Sequence, residues 1–349
     1  MYEQFTSCTV HPFLLKTKTM ATKTKETITT DTAPSPGVQT VPVISFDLGN
    51  RFNALTDGVK TVSFPSYSNR LSPNQDLHYD SVDFVEGRSF RVDIGAQSFT
   101  VGNIAGVFAA RPTFSGEKWL KAKEFLFAGL AALGLDTTAV VSELRCSIPD
   151  DQDLSQRTPF ETLADKTHQF KVNGIEYTIR IDRVRIVAEG KTAWLRAMKE
   201  GLFRYPGSLN GVLDLGGGTA IARLIAPDGT IARDYEKVLK GGTSQLAAEI
   251  AAECRLLGVE GKIMDAIADG SFAVNAYDFR AAYEALLPHW VSGIRGELNT
   301  AWRPIENHYG QILIVGGSAP IFAPFVKDNP RYIPVANPQF FALEGLQNG

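Results

Sequence analysis

Two Asp-Leu-Gly turns, at Asp47 and Asp214, lie nearly half the chain apart, and each closes a short apolar run. The first run is Val41-Pro-Val-Ile-Ser-Phe and the second begins at Gly211. Both read as β-strands ended by a glycine turn. A strand-and-turn unit that recurs at this distance implies a chain built as two similar lobes. The 349 residues are enough for that. A third strand of the same form, Ile312-Leu-Ile-Val, runs into Gly316-Gly317-Ser318.

Glycine directly after a strand lets backbone N–H groups approach phosphate oxygens with no Cβ in the way. Asp214-Leu-Gly216-Gly217-Gly218-Thr219 has that form, with the Thr219 hydroxyl as a further donor. Asp47-Leu-Gly49-Asn50 is its shorter counterpart. Two such loops facing each other can hold a polyphosphate from both sides. Their carboxylates can then reach Mg²⁺ through its waters, the usual mode for that hard cation. The third loop can lay its backbone flat against a base or ribose. Each loop alone is an ordinary turn more often than a ligand site; the order and spacing of the three carry the weight. No GxxxxGK[ST] occurs, Lys240-Gly-Gly242-Thr243 departs from it, and no GxGxxG follows the first strand.

Along the chain, residues 1–40 are rich in Thr, Lys, Ser and Pro and read as a disordered tail, with Met20 an alternative start. Thr61–Phe64 reads as a strand, Phe84–Val101 as a meander, Lys118–Leu133 as a helix with Gly134 at its C-cap, and Ala139–Ile148 as a strand. Asn173-Gly174 marks a hairpin leading to a long strand up to Val187, whose Arg180–Arg185 stretch is its wet face. Helices are expected at about 192–205, 243–257 and 277–303. Pro320 suits the first turn of a helix.

Hydrophobic residues at 44% and charged ones at 21% suit a globular core. A net charge of −3 argues against a large nucleic-acid footprint. The three widely spaced cysteines fit free thiols in a reducing compartment. The longest apolar run, Phe125–Leu135, falls short of the roughly 20 residues that span a bilayer. No membrane association and a cytoplasmic location are therefore expected.

At these residues the sequence resembles the actin, Hsp70 and sugar-kinase superfamily, and within it the plasmid-segregation actins of the ParM (StbA) type and related archaeal actin-like proteins. VISFDLGN is similar to the first phosphate loop, GVLDLGGGTAIARL to the second and ILIVGGSAP to the adenosine loop, over about residues 41–349. Thr100-Val-Gly-Asn103, Arg145-Cys-Ser-Ile-Pro149, Val187-Ala-Glu-Gly190 and Ala336-Asn-Pro-Gln-Phe340 resemble smaller family landmarks.

The resemblance implies an α/β actin-like fold of two lobes, each on a mixed sheet of the ribonuclease-H type, with ATP and Mg²⁺ in the cleft. Lobe I would span 41–208, completed by a helix at 338–349, and lobe II 209–337. Asp47 and Asp214 would surround Mg²⁺, and the catalytic pair would be Asp214 and Glu189, with Glu189 orienting the attacking water. Gly49, Asn50, Arg51, Asn53, Gly216, Gly217, Gly218 and Thr219 would hold phosphates. Gly242, Gly316, Gly317 and Ser318 would hold the nucleoside.

One departure stands out: the family's Lys seven residues after the first Asp is here Ala54. Arg51 is the nearby candidate for the missing charge. The function implied is a filament-forming ATPase, self-assembling and segregating plasmid DNA through a DNA-binding adaptor and not by direct contact. The alternatives are a non-polymerising kinase of the same superfamily, or a structural filament protein with little ATP turnover.

Overall fold

The computed structural model describes residues 38–72, 88–107, 118–239, 241–256 and 258–349. The expected tail up to residue 37, the start of the meander at Phe84, and Lys240 lie outside them.

Strand β1 (Gln39–Leu48) starts two residues before Val41 and ends in the first Asp-Leu-Gly turn. It turns into β2 (Phe52–Thr56), and β3 (Thr61–Pro65) follows antiparallel. The strands β4 (Ser68–Arg70), β5 (Ser89–Ile94) and β6 (Gln97–Gly102) form the far edge of the same sheet, next to the short α1 (Asn103–Val107). A 3₁₀ turn, Lys118–Lys121, opens α2 (Ala122–Leu133), which Gly134 ends in the left-handed region as expected.

Then come β7 (Thr138–Ile148), α3 (Leu154–Glu161), β8 (Lys166–Val172), β9 (Ile175–Ala188) and α4 (Lys191–Lys199). Asn173 and Gly174 both take positive φ, the two-residue turn that Asn-Gly favours. The sheet runs β3-β2-β1-β7-β9-β8-β5-β6-β4, with β1, β7 and β9 parallel.

A second sheet repeats the pattern. It consists of β10 (Leu209–Leu215), β11 (Ala220–Ile225), β12 (Lys237–Leu239), β15 (Tyr309–Val315) and β16 (Tyr332–Pro334), in the order β12-β11-β10-β15-β16. Its first three strands are antiparallel and its last two run parallel to β10. This matches β3-β2-β1-β7-β9 strand for strand, so β1 and β10 are equivalent and each carries its aspartate near its C-terminal end. The two-stranded β13 (Ala273–Val274) and β14 (Tyr277–Asp278) stand apart.

Helices α5 (Thr243–Glu253), α6 (Glu260–Asp269) and α7 (Arg280–Trp302) cover one face of the second sheet, with Leu246, Ile250, Trp290 and Trp302 in its core. Helix α8 (Ala319–Phe322) carries Pro320 in its first turn, and α9 (Pro338–Asn348) closes the chain.

Three expectations shift. The helix from 192 ends at Lys199, where Gly201 takes positive φ. The helix expected at 243–257 ends at Glu253, before the positive φ of Arg255, and α6, beyond the positive φ of Gly258, was not expected. Helix α3 was not expected either: it contains Pro159 and buries only Gln156 and Phe160, so it shows no apolar periodicity. Among the described residues no helix is long and apolar enough to cross a membrane.

The first core packs α2 on its sheet through Phe46, Phe64, Phe125 and Phe127, with the Phe127 and Phe170 rings stacked at 4.0 Å. A third cluster joins α4 and α9 to the second sheet through Trp194, Phe341, Leu313 and Val315. Helix α9 also reaches the first sheet, where the Ser45 hydroxyl donates to Gln347 at 2.7 Å and Arg145 caps the carbonyls of Leu346 and Gln347. It therefore lies between the two sheets.

The α4–α9 crossing is close. A Cβ at Gly345 would stand 2.3 Å from the Thr192 carbonyl oxygen. Gly345→Ala should thus cost about 1–3 kcal/mol in urea unfolding, the usual penalty of overpacking against rigid backbone. A variant as stable as the wild type would show that the crossing is looser than described.

Candidate functional site

The equivalence of β1 and β10 brings their turns face to face. A Cβ on Gly217 would lie 3.0 Å from the Arg51 Cβ, and one on Gly218 would lie 2.9 Å from the Asn50 amide. The second turn is closed by Gly216 N–H donating to the Thr219 carbonyl at 2.9 Å.

Between the turns is a cavity of about 400 Å³. Asp47, Gly49, Asn50 and Arg51 line it from one side, and Asp214, Gly216, Gly217 and Thr219 from the other. Glu189, Gly316, Gly317 and Ser318 complete the expected set that reaches it. The first turn of α9, Pro338 to Phe340, forms a further wall, and Gly316 N–H donates to the Pro338 carbonyl at 2.9 Å.

Ser318 lines the cavity. Its buried hydroxyl donates to the Gly216 carbonyl at 3.1 Å and meets the Thr243 hydroxyl at 2.9 Å, which ties the second and third glycine loops together. Gly242 supports the same loop from behind, since a Cβ there would lie 2.5 Å from the Gly216 and Gly217 carbonyl oxygens. Neither Gly242 nor Gly218 lines the cavity.

Asn53 points elsewhere. In the β1–β2–β3 ladder Asp47 is paired with Ala54 and Ala54 with Ser63, so these share the cavity face. Leu48, Asn53 and Phe64 form the next row and take the opposite face. Asn53 is fully buried there, and its amide nitrogen and oxygen have no hydrogen-bond partner. Arg51 also departs from the role considered for it. Its guanidinium crosses to α6, donating to the Met264 carbonyl at 2.9 Å and pairing with Asp265 at 2.7 Å.

Three carboxylates converge on the cavity floor. Asp47 accepts from the Ser147 hydroxyl at 2.7 Å. Burial, and then the nearby Glu189 charge, hold its carboxyl above the usual range. Asp214 is pushed up to about 7 by burial, with Glu189 and Asp47 adding repulsion and Arg223 and Lys118 opposing it. A pair of acidic groups held at this cost matches a divalent cation bound largely through water and phosphate. Among the described residues no group of three or more His, Cys, Asp or Glu side chains is set to hold a metal ion by itself.

Two basic residues at the site had no motif to announce them. Lys118 lines the cavity, and its ammonium lies 3.0 Å from a Glu189 oxygen. Arg223, fully buried in β11, donates to the main-chain carbonyls of Glu189 and Pro149 and pairs with Glu236 at 3.0 Å. It fixes the backbone that carries Glu189. A charged residue inside a strand whose every position is buried was the available signal.

Residues 45–191 match the family model for the N-terminal domain of actin-like proteins. The chain has an actin-like fold, two lobes each built on a mixed sheet. Among solved structures it is similar to an archaeal actin homologue in complex with ADP, at 17% identity and TM-score 0.69, over 88% of this chain and 98% of that one. It is also similar to the apo pSK41 ParM protein, at 18% identity and TM-score 0.65, over 87% and 95% of the two chains. A 15-stranded ParM filament from Clostridium botulinum matches at 15% identity and TM-score 0.66, over 88% and 97%. No curated protein matches the chain.

Proposed function

We propose that the chain is a filament-forming, nucleotide-binding protein that hydrolyses ATP and serves plasmid segregation through an adaptor, as a ParM-type actin. The observation that carries this is the pair of Asp-bearing turns at equivalent strand ends, facing each other across one cavity with a third glycine loop beside them. One structural relative is solved with ADP and another is a filament, which supports the same reading.

In this reading the lobes are residues 41–208 with 338–349, and residues 209–337. The Gly49–Arg51 and Gly216–Thr219 turns take the phosphates with their backbone N–H groups. Asp47 and Asp214 would hold Mg²⁺, which would supply positive charge to offset that of the phosphates. Glu189, on the end of β9 and fixed by Arg223, accepts a hydrogen bond from the attacking water and orients it. Gly316 and Gly317 pass close to the nucleoside. A cytoplasmic location, and the adaptor as the only link to DNA, belong to the same proposal.

The reading with little turnover has one observation in its favour, the apolar Ala54 next to Asp47 in the ladder. Sedimentation with and without ATP, read together with phosphate release, separates the possibilities. Filaments with turnover are expected. Filaments without turnover would leave a structural polymer, and soluble protein that phosphorylates a metabolite would make it a kinase.

A further inference from the structure

The cavity floor presents an electrostatic imbalance. Asp47, Asp214 and Glu189 all line it, while Arg51 spends its guanidinium on Met264 and Asp265 in α6. Residue 54 faces the cavity opposite Asp47 and is alanine. Arg88 lines the cavity too, from an exposed position. Lys118 is different. Its side chain is only 7% exposed, and its ammonium sits 3.0 Å from Glu189, itself 14% exposed. A buried ammonium is retained at a desolvation cost that one ion pair only partly offsets.

Lys118 reaches the site from the first 3₁₀ turn before α2, in a part of the sheet's helical layer remote from all three glycine loops in sequence. Its charge offsets those of Asp47 and Asp214 besides pairing with Glu189. The helix it precedes packs on the first core through Ala122, Phe125 and Leu126. What the position does offer is a buried donor at a cavity whose three carboxylates, Asp47, Asp214 and Glu189, repel anions.

We infer that Lys118 is the cation that meets the nucleotide's terminal phosphates, doing from the α2 side what residue 54 cannot do from β2. Glu189 holds it in position when no phosphate is present. The inference rests on the proposal that the cavity takes a nucleotide. It adds a coupling: while Lys118 is paired with Oε1 of Glu189, that oxygen is held towards the ammonium and only the rest of the carboxylate is open to water. Phosphate oxygens compete for the ammonium and free that oxygen, so occupancy of the site changes how Glu189 can hold water. Lys118 in this scheme contacts the ligand, and Glu189 is both its keeper and the group it frees.

The test uses the full chain and fluorescent ATP and ADP analogues, with thermal unfolding of each nucleotide-free variant as a folding control. Lys118→Met should weaken ATP-analogue binding about tenfold or more, the size of one charge-assisted contact to phosphate, and weaken ADP less. Lys118→Arg should keep most of the affinity. Ala54→Lys added to Lys118→Met should restore it, because residue 54 faces the same cavity.

The double variant Lys118→Met with Glu189→Gln removes both charges, which keeps the test alive should the single variant fold poorly, and it too should bind ATP weakly. Recovery of wild-type affinity in that double variant would overturn the inference, since Lys118 would then only neutralise Glu189. Unchanged binding in Lys118→Met would overturn it as well. A wild-type protein that binds neither nucleotide would instead sink the nucleotide reading itself, and this inference with it.

Discussion

Asp214→Asn should make the nucleotide-free protein more stable at pH 7.5 while abolishing Mg²⁺-dependent ATP binding and ATP-driven assembly. Asp214 titrates near 3.8 in an unfolded chain and at about 7 when folded. Between those values the folded chain holds a proton that the unfolded chain has lost. Stability therefore falls as pH rises from about 4 towards 7, and the full penalty applies above 7. The ceiling on that penalty is on the order of 4 kcal/mol, and water in the cavity reduces it.

Asparagine keeps the shape and removes the charge. A rise of about 5 °C in the melting temperature at pH 7.5 is expected, shrinking to nothing near pH 4. Asp47 shifts in the same direction and His168 in the opposite one, so the difference between variant and wild type is the quantity to follow. A variant less stable than wild type at pH 7.5 would refute the electrostatic account of this site. Retained Mg²⁺-dependent binding would refute the role given to Asp214.

Glu189→Ala should leave ATP-dependent assembly intact, slow phosphate release about a hundredfold, and produce filaments that persist. A positioned base typically contributes a factor of about 10²–10⁴, and the glycine turns that would hold phosphates do not involve this side chain. Removing Glu189 also strands the Lys118 ammonium, so Glu189→Gln belongs beside it: an amide keeps a hydrogen-bond acceptor for Lys118 but no negative charge. Both variants should assemble, and both should disassemble slowly in light scattering. Disassembly at the wild-type rate would remove Glu189 from the mechanism.

The turns at Asp47 and Asp214 were legible because their chemistry is local: a β-branched run, a carboxylate and glycines in sequence suffice. Their equivalence was legible as well, since two lobes of like topology place the same strand-turn unit half a chain length apart. Asn53 could have been placed from the same information, for alternation along β2 sends it to the face opposite Ala54.

Arg51 could not, because its direction depends on α6, a helix hidden by the breaks at Arg255 and Gly258. Lys118 was beyond reach for a different reason. It is an unremarkable lysine at the start of an amphipathic helix, and only the packing of α2 on the first sheet carries it to Glu189, 71 positions along the chain. Motifs are read where neighbours in sequence make the chemistry. This charge is placed by tertiary structure.

Arg223 has a mechanical meaning besides the one given to it above. It grips two main-chain carbonyls at the ends of β7 and β9 from a strand of the other sheet, and Glu236 and Arg233 extend the grip to Asp150 and Asp151. Its guanidinium is out of reach of water, so losing Glu236 would leave a buried charge without its counter-ion. The link from Arg51 to Asp265 is of another kind, since Asp265 is 58% exposed and a surface ion pair contributes only about 0–1 kcal/mol. The two lobes are thus fastened unequally. A rotation of one sheet against the other is therefore expected to loosen the exposed Arg51–Asp265 link before the buried contacts of Arg223.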